Sequence, residues 1–152
     1  MTLLDVQNLT VDFHTVDGVV RAVRNTSFSV AAGQTLGVVG ESGSGKSVTV
    51  QSLLGLARGA TVTGTAKFNG ADLLTMKPDD LRRIRGAEIG MVFQDPLQAF
   101  NPVFTVGFQT GEVFKYHTKL SAAEIRQNTL DLFARVGLDD PMRVFKSYPH
   151  QL

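Results

Sequence analysis

The sequence predicts an α/β fold with a β-rich N-terminal part and a helical C-terminal part. Apolar and polar residues alternate through residues 4–30, which is typical of strands, whereas apolar residues recur at helical spacing after about residue 105. Between these regions, the short apolar run Thr35–Val39 leads into a glycine-rich loop that is followed by a helical pattern. This strand–loop–helix order is typical of an α/β core.

The composition is that of a globular domain. The chain has 152 residues, of which 43% are hydrophobic and 19% are charged, enough for one domain with a core. The net charge of +1 argues against a nucleic-acid partner, and we interpret the basic cluster Arg82, Arg83 and Arg85 as a solvated helix face. Because the chain has no cysteine, disulfides, thiolate metal sites and cysteine nucleophiles are excluded.

The sequence predicts neither a signal peptide nor a membrane-spanning helix. The N-terminal stretch MTLLDVQNLTVDF carries acidic residues and lacks a long apolar segment. No apolar run approaches the roughly 20 residues that a membrane helix requires. We therefore expect no direct membrane insertion, and any work at a membrane would be that of a peripheral subunit.

The N-terminal part is predicted to form a hairpin followed by the core. The first strand carries an irregularity near Asn8, and the Asp17-Gly18 turn leads into a second strand over Val19–Val30. The other expected elements are strands at Thr35–Val39, Val62–Phe68 and Ile89–Phe93, a turn at Asn69-Gly70, and helices at Ser47–Leu56 and Pro78–Arg85.

The C-terminal part is predicted to be helical. Thr105–His117 has helical spacing, Ser121 and Glu124 form a capping box for the next helix, and Asp140-Pro141 begins another. We therefore predict two domains. Residues 1–94 would form the N-terminal part of an α/β core, and residues 95–152 would begin a helical subdomain.

The glycine-rich loop Gly40–Ser47 matches the P-loop pattern G-x-x-x-x-G-K-[ST] at every position. Glycines let backbone N–H groups converge on phosphate oxygens, and the following helix N-terminus adds partial positive charge. Lys46 is expected to reach the β- and γ-phosphates, and the Ser47 hydroxyl to ligate Mg²⁺. The predicted binding residues are Gly40, Glu41, Ser42, Gly43, Ser44, Gly45, Lys46, Ser47 and Val48.

The P-loop alone leaves several functions open, because kinases, GTPases, motor ATPases and transport ATPases all contain one. The structural alternative is a glycine-rich turn that binds nothing.

Several segments together resemble the ATP-binding-cassette (ABC) transporter family, and within it the importers of peptides and nickel. These segments are LLDVQNLTVDF, GVVRAV, GQTLGVVGESGSGKS, RRIRG, IGMVFQDP, NPVFTVG and YPHQL. The resemblance implies a P-loop NTPase core that binds ATP and Mg²⁺ and couples hydrolysis to solute uptake. It also implies transmembrane permease partners, a second ATP-binding subunit, and a peripheral location at the cytoplasmic face of the inner membrane.

The resemblance also assigns two residues outside the P-loop. Gln94 matches the family's Q-loop glutamine, which would act with Lys46 in catalysis and reach the metal or the attacking water. Phe13 matches the aromatic residue that stacks on adenine. The alternative for Gln94 is a polar residue at the end of a strand, with Asp95 as the metal ligand. The alternative for Phe13 is a core residue of its strand, with His14 as the stacking residue.

Other features carry less information. His14, His117 and His150 show no metal-ligand spacing. The segment LQAFNP and Phe108 depart from the usual family pattern in the region expected to face the membrane partner.

The family places its signature loop, Walker B aspartate, catalytic glutamate and switch histidine after the position of Leu152. We therefore expect this chain alone to be incompetent for hydrolysis. Two further functions remain open, a P-loop kinase or GTPase with a soluble substrate, and a nucleotide-binding fragment without turnover.

Overall fold

The computed structural model describes residues 2–95 and 99–152. Its internal contacts divide the chain into two compact units, Met1–Arg85 and Gly86–Leu152. The boundary predicted between residues 94 and 95 falls inside the second unit. Pro96 of the IGMVFQDP segment and Leu97 and Gln98 of the LQAFNP segment lie outside the described residues.

The first unit is built on an antiparallel sheet of four strands in the order β2-β1-β3-β4. The strands are β1 (Thr2–Thr15), β2 (Gly18–Ala31), β3 (Ala60–Phe68) and β4 (Ala71–Asp72). Val16 and Asp17 join β1 to β2, so the turn lies one residue before the predicted Asp17-Gly18. Asn69 and Gly70 join β3 to β4 and have φ angles of 49° and 84°, the left-handed conformation that such tight hairpins require.

The predicted irregularity near Asn8 is confirmed. Asn8 has a φ of 54°, and the register of β1 shifts at this point against both of its neighbours. The extra residue reverses the alternation of side chains along the strand. Val6 and Leu9 are therefore both fully buried, although a regular strand would place residues at this odd spacing on opposite faces. Gly64 permits this bulge, since a Cβ there would lie 2.7 Å from the carbonyl oxygen of Asn8.

Two helices complete the first unit. Helix α1 spans Lys46–Leu53 and helix α2 spans Pro78–Ala87, with Pro78 in its first turn as predicted and with its last two residues assigned to the second unit. The Nε of Arg85 donates a 2.7 Å hydrogen bond to the carbonyl oxygen of Leu54, which caps the end of α1. Arg85 therefore links the two helices and is not simply a solvated member of the basic cluster.

Two predicted strands are absent from the described residues. Neither Thr35–Val39 nor Ile89–Phe93 is a strand, although Ile89 forms an isolated bridge. The side chains of residues 35–39 are exposed, with Val39 at 93%. The apolar runs indicate a preference for burial, but a strand also needs a neighbouring backbone to pair with. Neither run has a ladder partner within residues 2–95 and 99–152.

The second unit is helical. Its helices are α3 (Val106–His117), α4 (Ala122–Arg135) and α5 (Pro141–Lys146), followed by a short 3-10 turn at Pro149–Gln151. A cluster of Val106, Phe133 and Val144, with Phe100 and Phe145 against it, forms the core. A Cβ on Gly107 would lie 2.5 Å from the ring of Phe145, so the glycine lets α3 and α5 approach closely.

The predicted capping box at the start of α4 is confirmed. The Ser121 hydroxyl accepts a hydrogen bond from the Glu124 amide, and the Glu124 carboxylate accepts one from the Ser121 amide at 2.8 Å. The hydrogen bonds from the hydroxyl and amide of Ser121 lower the pKa of Glu124. Since the folded-state pKa is depressed, this contribution to stability is present at neutral pH and is lost as the pH falls through that pKa.

The glycine-rich loop packs directly on strand β2. Gly45, the N-cap of α1, has a φ of 89°, which is left-handed. A Cβ at this position would overlap the carbonyl oxygen of Ala22 and lie 3.5 Å from Cγ2 of Val23. Glycine is therefore needed at Gly45 both for its backbone angle and for its contact with the strand.

A comparison of two glycines tests this packing. Gly45 and Gly59 have similar φ angles of 89° and 75°, but a Cβ on Gly59 would meet nothing within 4 Å. Alanine in the left-handed region costs about 1–2 kcal/mol at either position. We expect Gly45→Ala to lower the free energy of unfolding by roughly 1–3 kcal/mol more than Gly59→Ala does, because of the overlap. Urea denaturation followed by circular dichroism measures the difference, and equal losses would contradict the packing described here.

Candidate functional site

The loop Gly40–Ser47 turns the chain from an extended segment into helix α1. The Ser44 amide donates a 3.2 Å hydrogen bond to the carbonyl oxygen of Glu41, and Gly43 has a left-handed φ of 79°. Gly45 provides no side chain to cap α1, and no acidic residue lies in the first turn of the helix. The N–H groups of this turn and the positive end of the helix dipole are therefore suited to a bound anion.

Lys46 adds a full positive charge to this helix N-terminus. Its Nζ atom donates hydrogen bonds to the carbonyl oxygens of Gly40 at 2.8 Å and Glu41 at 2.6 Å, and to the Ser44 hydroxyl at 3.3 Å. The long side chain therefore folds back over its own loop. The ammonium group and the helix N-terminus lie together, which is the electrostatic arrangement that a phosphate requires.

A cavity of about 610 Å³ lies between the loop and strand β2. Four of the predicted phosphate-binding residues line it, Gly40, Gly43, Ser44 and Lys46. The other lining residues had not been predicted and are Val20, Arg21, Ala22, Val23, Arg24, Thr26, Val38, Val39 and Thr49. Residue spacing shows that β2 is a strand but gives no sign that the phosphate loop packs on it.

The remaining predicted loop residues have other positions. Glu41, Ser42 and Ser47 are exposed, and Gly45 and Val48 are partly buried. The Ser47 hydroxyl, at the second position of α1, is thus accessible to a metal ion. One protein oxygen suits Mg²⁺ bound with a nucleotide, because this ion usually keeps several waters and takes phosphate oxygens as further ligands. The residues present fit Mg²⁺ with a bound phosphate chain.

Phe13 lies on β1, next to this region of the sheet. It pairs with Val20 of β2 and with Ala60 of β3, and it is partly buried. Strand alternation places Phe13 on the same face as the buried Val11. Val20 lines the cavity and is 55% exposed, whereas Phe13 is not among the lining residues. The stacking role of Phe13 stays a prediction.

An ion pair orders the opposite face of the same hairpin. Arg21 donates to both carboxylate oxygens of Asp12, directly across the ladder, at 2.8 and 3.1 Å. The hydrogen bond from Arg21 lowers the pKa of Asp12, with smaller electrostatic effects from Arg21, His14 and Arg24. The guanidinium group of Arg21 is therefore committed to Asp12.

Gln94, the remaining predicted site residue, lies in the second unit. Gln94 is exposed in a bend, as is Asp95. His14 lies in the first unit, and His117 and His150 lie in the second. Across residues 2–95 and 99–152, no three histidine or acidic side chains are placed to hold a metal ion.

The second unit also presents an exposed apolar surface formed by Val103, Phe104 and Phe108. Their side chains are 69%, 45% and 48% exposed, and the two phenylalanine rings stack at 5.0 Å. Gln109 holds the loop before α3 in place. It accepts a hydrogen bond from the Asn101 amide at 2.7 Å and donates to the carbonyl oxygens of Asn101 and Phe104 at 2.9 and 3.0 Å. This apolar surface is thus held in a defined conformation.

None of the helices that the structure describes is both long and apolar enough to cross a lipid bilayer.

Comparison with known proteins identifies the family. A family profile described as ABC transporter matches residues 23–152. The dipeptide transport ATP-binding protein DppD of Bacillus subtilis is 47% identical over 152 residues, which cover 98% of this chain and 45% of that protein. The oligopeptide transport ATP-binding protein OppD of Escherichia coli is 42% identical over 150 residues, which cover 98% of this chain and 44% of that protein. The chain therefore spans less than half the length of these relatives.

The fold agrees with this match. The dimeric structure of MJ0796, described as a bacterial ABC transporter cassette, superposes with a TM-score of 0.82 at 23% identity and covers 98% of this chain and 62% of that one. A second structure of MJ0796, bound to ADP and Pi, superposes equally well, at a TM-score of 0.82 and 23% identity over 98% and 62% of the two chains. The predicted α/β fold is thereby confirmed. Since the family profile matches most of its residues, the chain belongs to the ABC transporter family.

Proposed function

We propose that this chain is the N-terminal part of the ATP-binding subunit of an ABC importer and that its P-loop binds Mg-ATP. The observation that carries this proposal is the position of the Lys46 ammonium group over the loop that leads into α1, a helix whose N-terminus has no capping side chain and no acidic residue in its first turn. The relatives named for dipeptide and oligopeptide transport support peptides as the solute of the full-length protein. Family membership also favours transport over a soluble kinase or GTPase.

Each site residue has a proposed part in this chemistry. Lys46 neutralises the charge of the β- and γ-phosphates, and the N–H groups of Gly43 and of residues 45–48 donate to phosphate oxygens. The Ser47 hydroxyl is the proposed ligand of Mg²⁺, which when bound would neutralise charge on the phosphates. Gln94 is proposed to orient water or metal and to connect nucleotide binding to the motion of the helical unit. Phe13 is proposed to stack on adenine.

We propose that the 152 residues alone do not hydrolyse ATP at a rate typical of the family. Hydrolysis needs a positioned water and charge stabilisation around the transferred phosphoryl group. The chain provides Lys46, Ser47 and Gln94. The residues that the family uses as general base and opposing signature loop follow the position of Leu152. Loss of a positioned base typically slows a reaction about 10²–10⁴-fold.

The proposed partners are permease subunits and a second ATP-binding subunit, at the cytoplasmic face of the inner membrane. The dimeric cassette of MJ0796 supports a paired arrangement. The exposed surface of Val103, Phe104 and Phe108 is a suitable contact for a permease, because exposed apolar surface of this kind marks interaction sites.

Replacement of the P-loop lysine tests the nucleotide site. Lys46→Ala removes the cation from the helix N-terminus, so we expect the affinity for Mg-ATP to fall on the order of tenfold to hundredfold. Lys67→Ala is the matched control, since Lys67 is an exposed lysine on β3 that does not line the cavity. Isothermal titration calorimetry measures both affinities. Equal affinity of the wild type and Lys46→Ala would contradict the proposed site.

Replacement of the aromatic residue on β1 tests base stacking. Phe13→Ala should weaken ATP and ADP binding alike, by about 1–3 kcal/mol, and leave the binding of inorganic triphosphate unchanged. Phe28→Ala controls for loss of a partly buried aromatic side chain, because Phe28 lies on β2 outside the cavity lining. Competition titrations with the three ligands distinguish the outcomes. A triphosphate affinity that falls as much as that of ATP would make Phe13 a core residue.

A further inference from the structure

The hydrogen bonds of Lys46 leave no N–H group of its ammonium unused. An ammonium group has three N–H donors and no acceptor. In this structure the three donors go to the carbonyl oxygens of Gly40 and Glu41 and to the hydroxyl of Ser44. A phosphate oxygen can therefore accept a hydrogen bond from Lys46 in only two ways. It replaces one of these three acceptors, or it shares an N–H group with one of them.

The three acceptors are not equivalent. The carbonyl oxygens of Gly40 and Glu41 lie at the short distances of 2.8 and 2.6 Å, whereas the Ser44 hydroxyl lies at 3.3 Å, beyond the usual range for an N–H donor. Ser44 is exposed, so water can solvate its hydroxyl once it leaves Lys46. The bond to Ser44 is thus the weakest of the three and the one that an incoming phosphate displaces at least cost.

The loop makes room for this hydroxyl. A Cβ on Gly40 would lie 2.6 Å from the Ser44 Oγ and 3.9 Å from the Cδ of Lys46. The turn closed by the Ser44 amide and the Glu41 carbonyl brings Ser44 toward Gly40. Gly40 therefore leaves the space in which the Ser44 hydroxyl and the Lys46 side chain meet.

We propose that Ser44 is a positioning residue whose hydroxyl competes with phosphate for the Lys46 ammonium group. This inference rests on the proposed function of the P-loop and goes beyond it. The two carbonyl oxygens anchor the ammonium group, and the hydroxyl occupies the donor that the phosphate needs. Ser44 thereby lowers the affinity for the polyphosphate and favours its release.

Removal of the Ser44 hydroxyl should tighten polyphosphate binding only when Lys46 is present. We expect Ser44→Ala to strengthen Mg-ATP and inorganic triphosphate binding about two- to tenfold, the range of a single modest hydrogen bond. In a Lys46→Ala background the same substitution should have no effect, because the hydroxyl then has no ammonium group to hold. Ser29→Ala is the matched control, since Ser29 is an exposed serine on β2, opposite Asp5 and outside the cavity lining.

A double-mutant cycle measured by calorimetry tests whether the effect of Ser44→Ala on binding depends on Lys46. Tighter binding by Ser44→Ala only when Lys46 is present supports the inference. Unchanged or weaker binding by Ser44→Ala, or an equal gain in both backgrounds, overturns it. These results are distinct from failure of the proposed function, which would appear as a wild-type chain that does not bind Mg-ATP or that binds it as tightly as Lys46→Ala does.

Discussion

The contact between Gly45 and the carbonyl oxygen of Ala22 is the constraint on which the candidate site depends. It seats the end of the glycine-rich loop on strand β2, at a point where any side chain would overlap the strand backbone. Helix α1 begins at the next residue, so this contact also places the helix N-terminus and the side chain of Lys46. The cavity lies between the same two elements, the loop and β2, and Ala22 is one of its lining residues.

The electrostatics of the site follow from this placement. The first turn of α1 contains no acidic residue, and Gly45 gives it no capping side chain, so its positive end is not neutralised from within the helix. The nearby guanidinium of Arg21 is paired with Asp12. Lys46 instead donates to neutral carbonyl and hydroxyl oxygens, which hold the ammonium group without cancelling its charge. The loop is thereby a preorganised site for a polyanion.

Local sequence signals predicted the local structure well. The Asn69-Gly70 turn, the irregularity at Asn8 and the Ser121–Glu124 capping box are all present, and the turn predicted at Asp17-Gly18 lies one residue earlier. Each of these features depends on residues close together in sequence. The runs Thr35–Val39 and Ile89–Phe93 were wrongly predicted as strands, because pairing requires a distant partner that an apolar pattern does not reveal. For the same reason the cavity residues from β2, such as Val20 and Arg24, were missed.

We propose that backbone N–H groups of the loop and the first turn of α1 bind the phosphates of Mg-ATP. Amide chemical shifts of the ¹⁵N-labelled chain, followed by NMR during titration with Mg-ATP, report on these N–H groups individually. We expect the amide signals of residues 43–48 to shift in a saturable manner, and inorganic triphosphate to shift the same signals. Saturable shifts confined to other parts of the chain, with residues 43–48 unperturbed, would contradict this proposal.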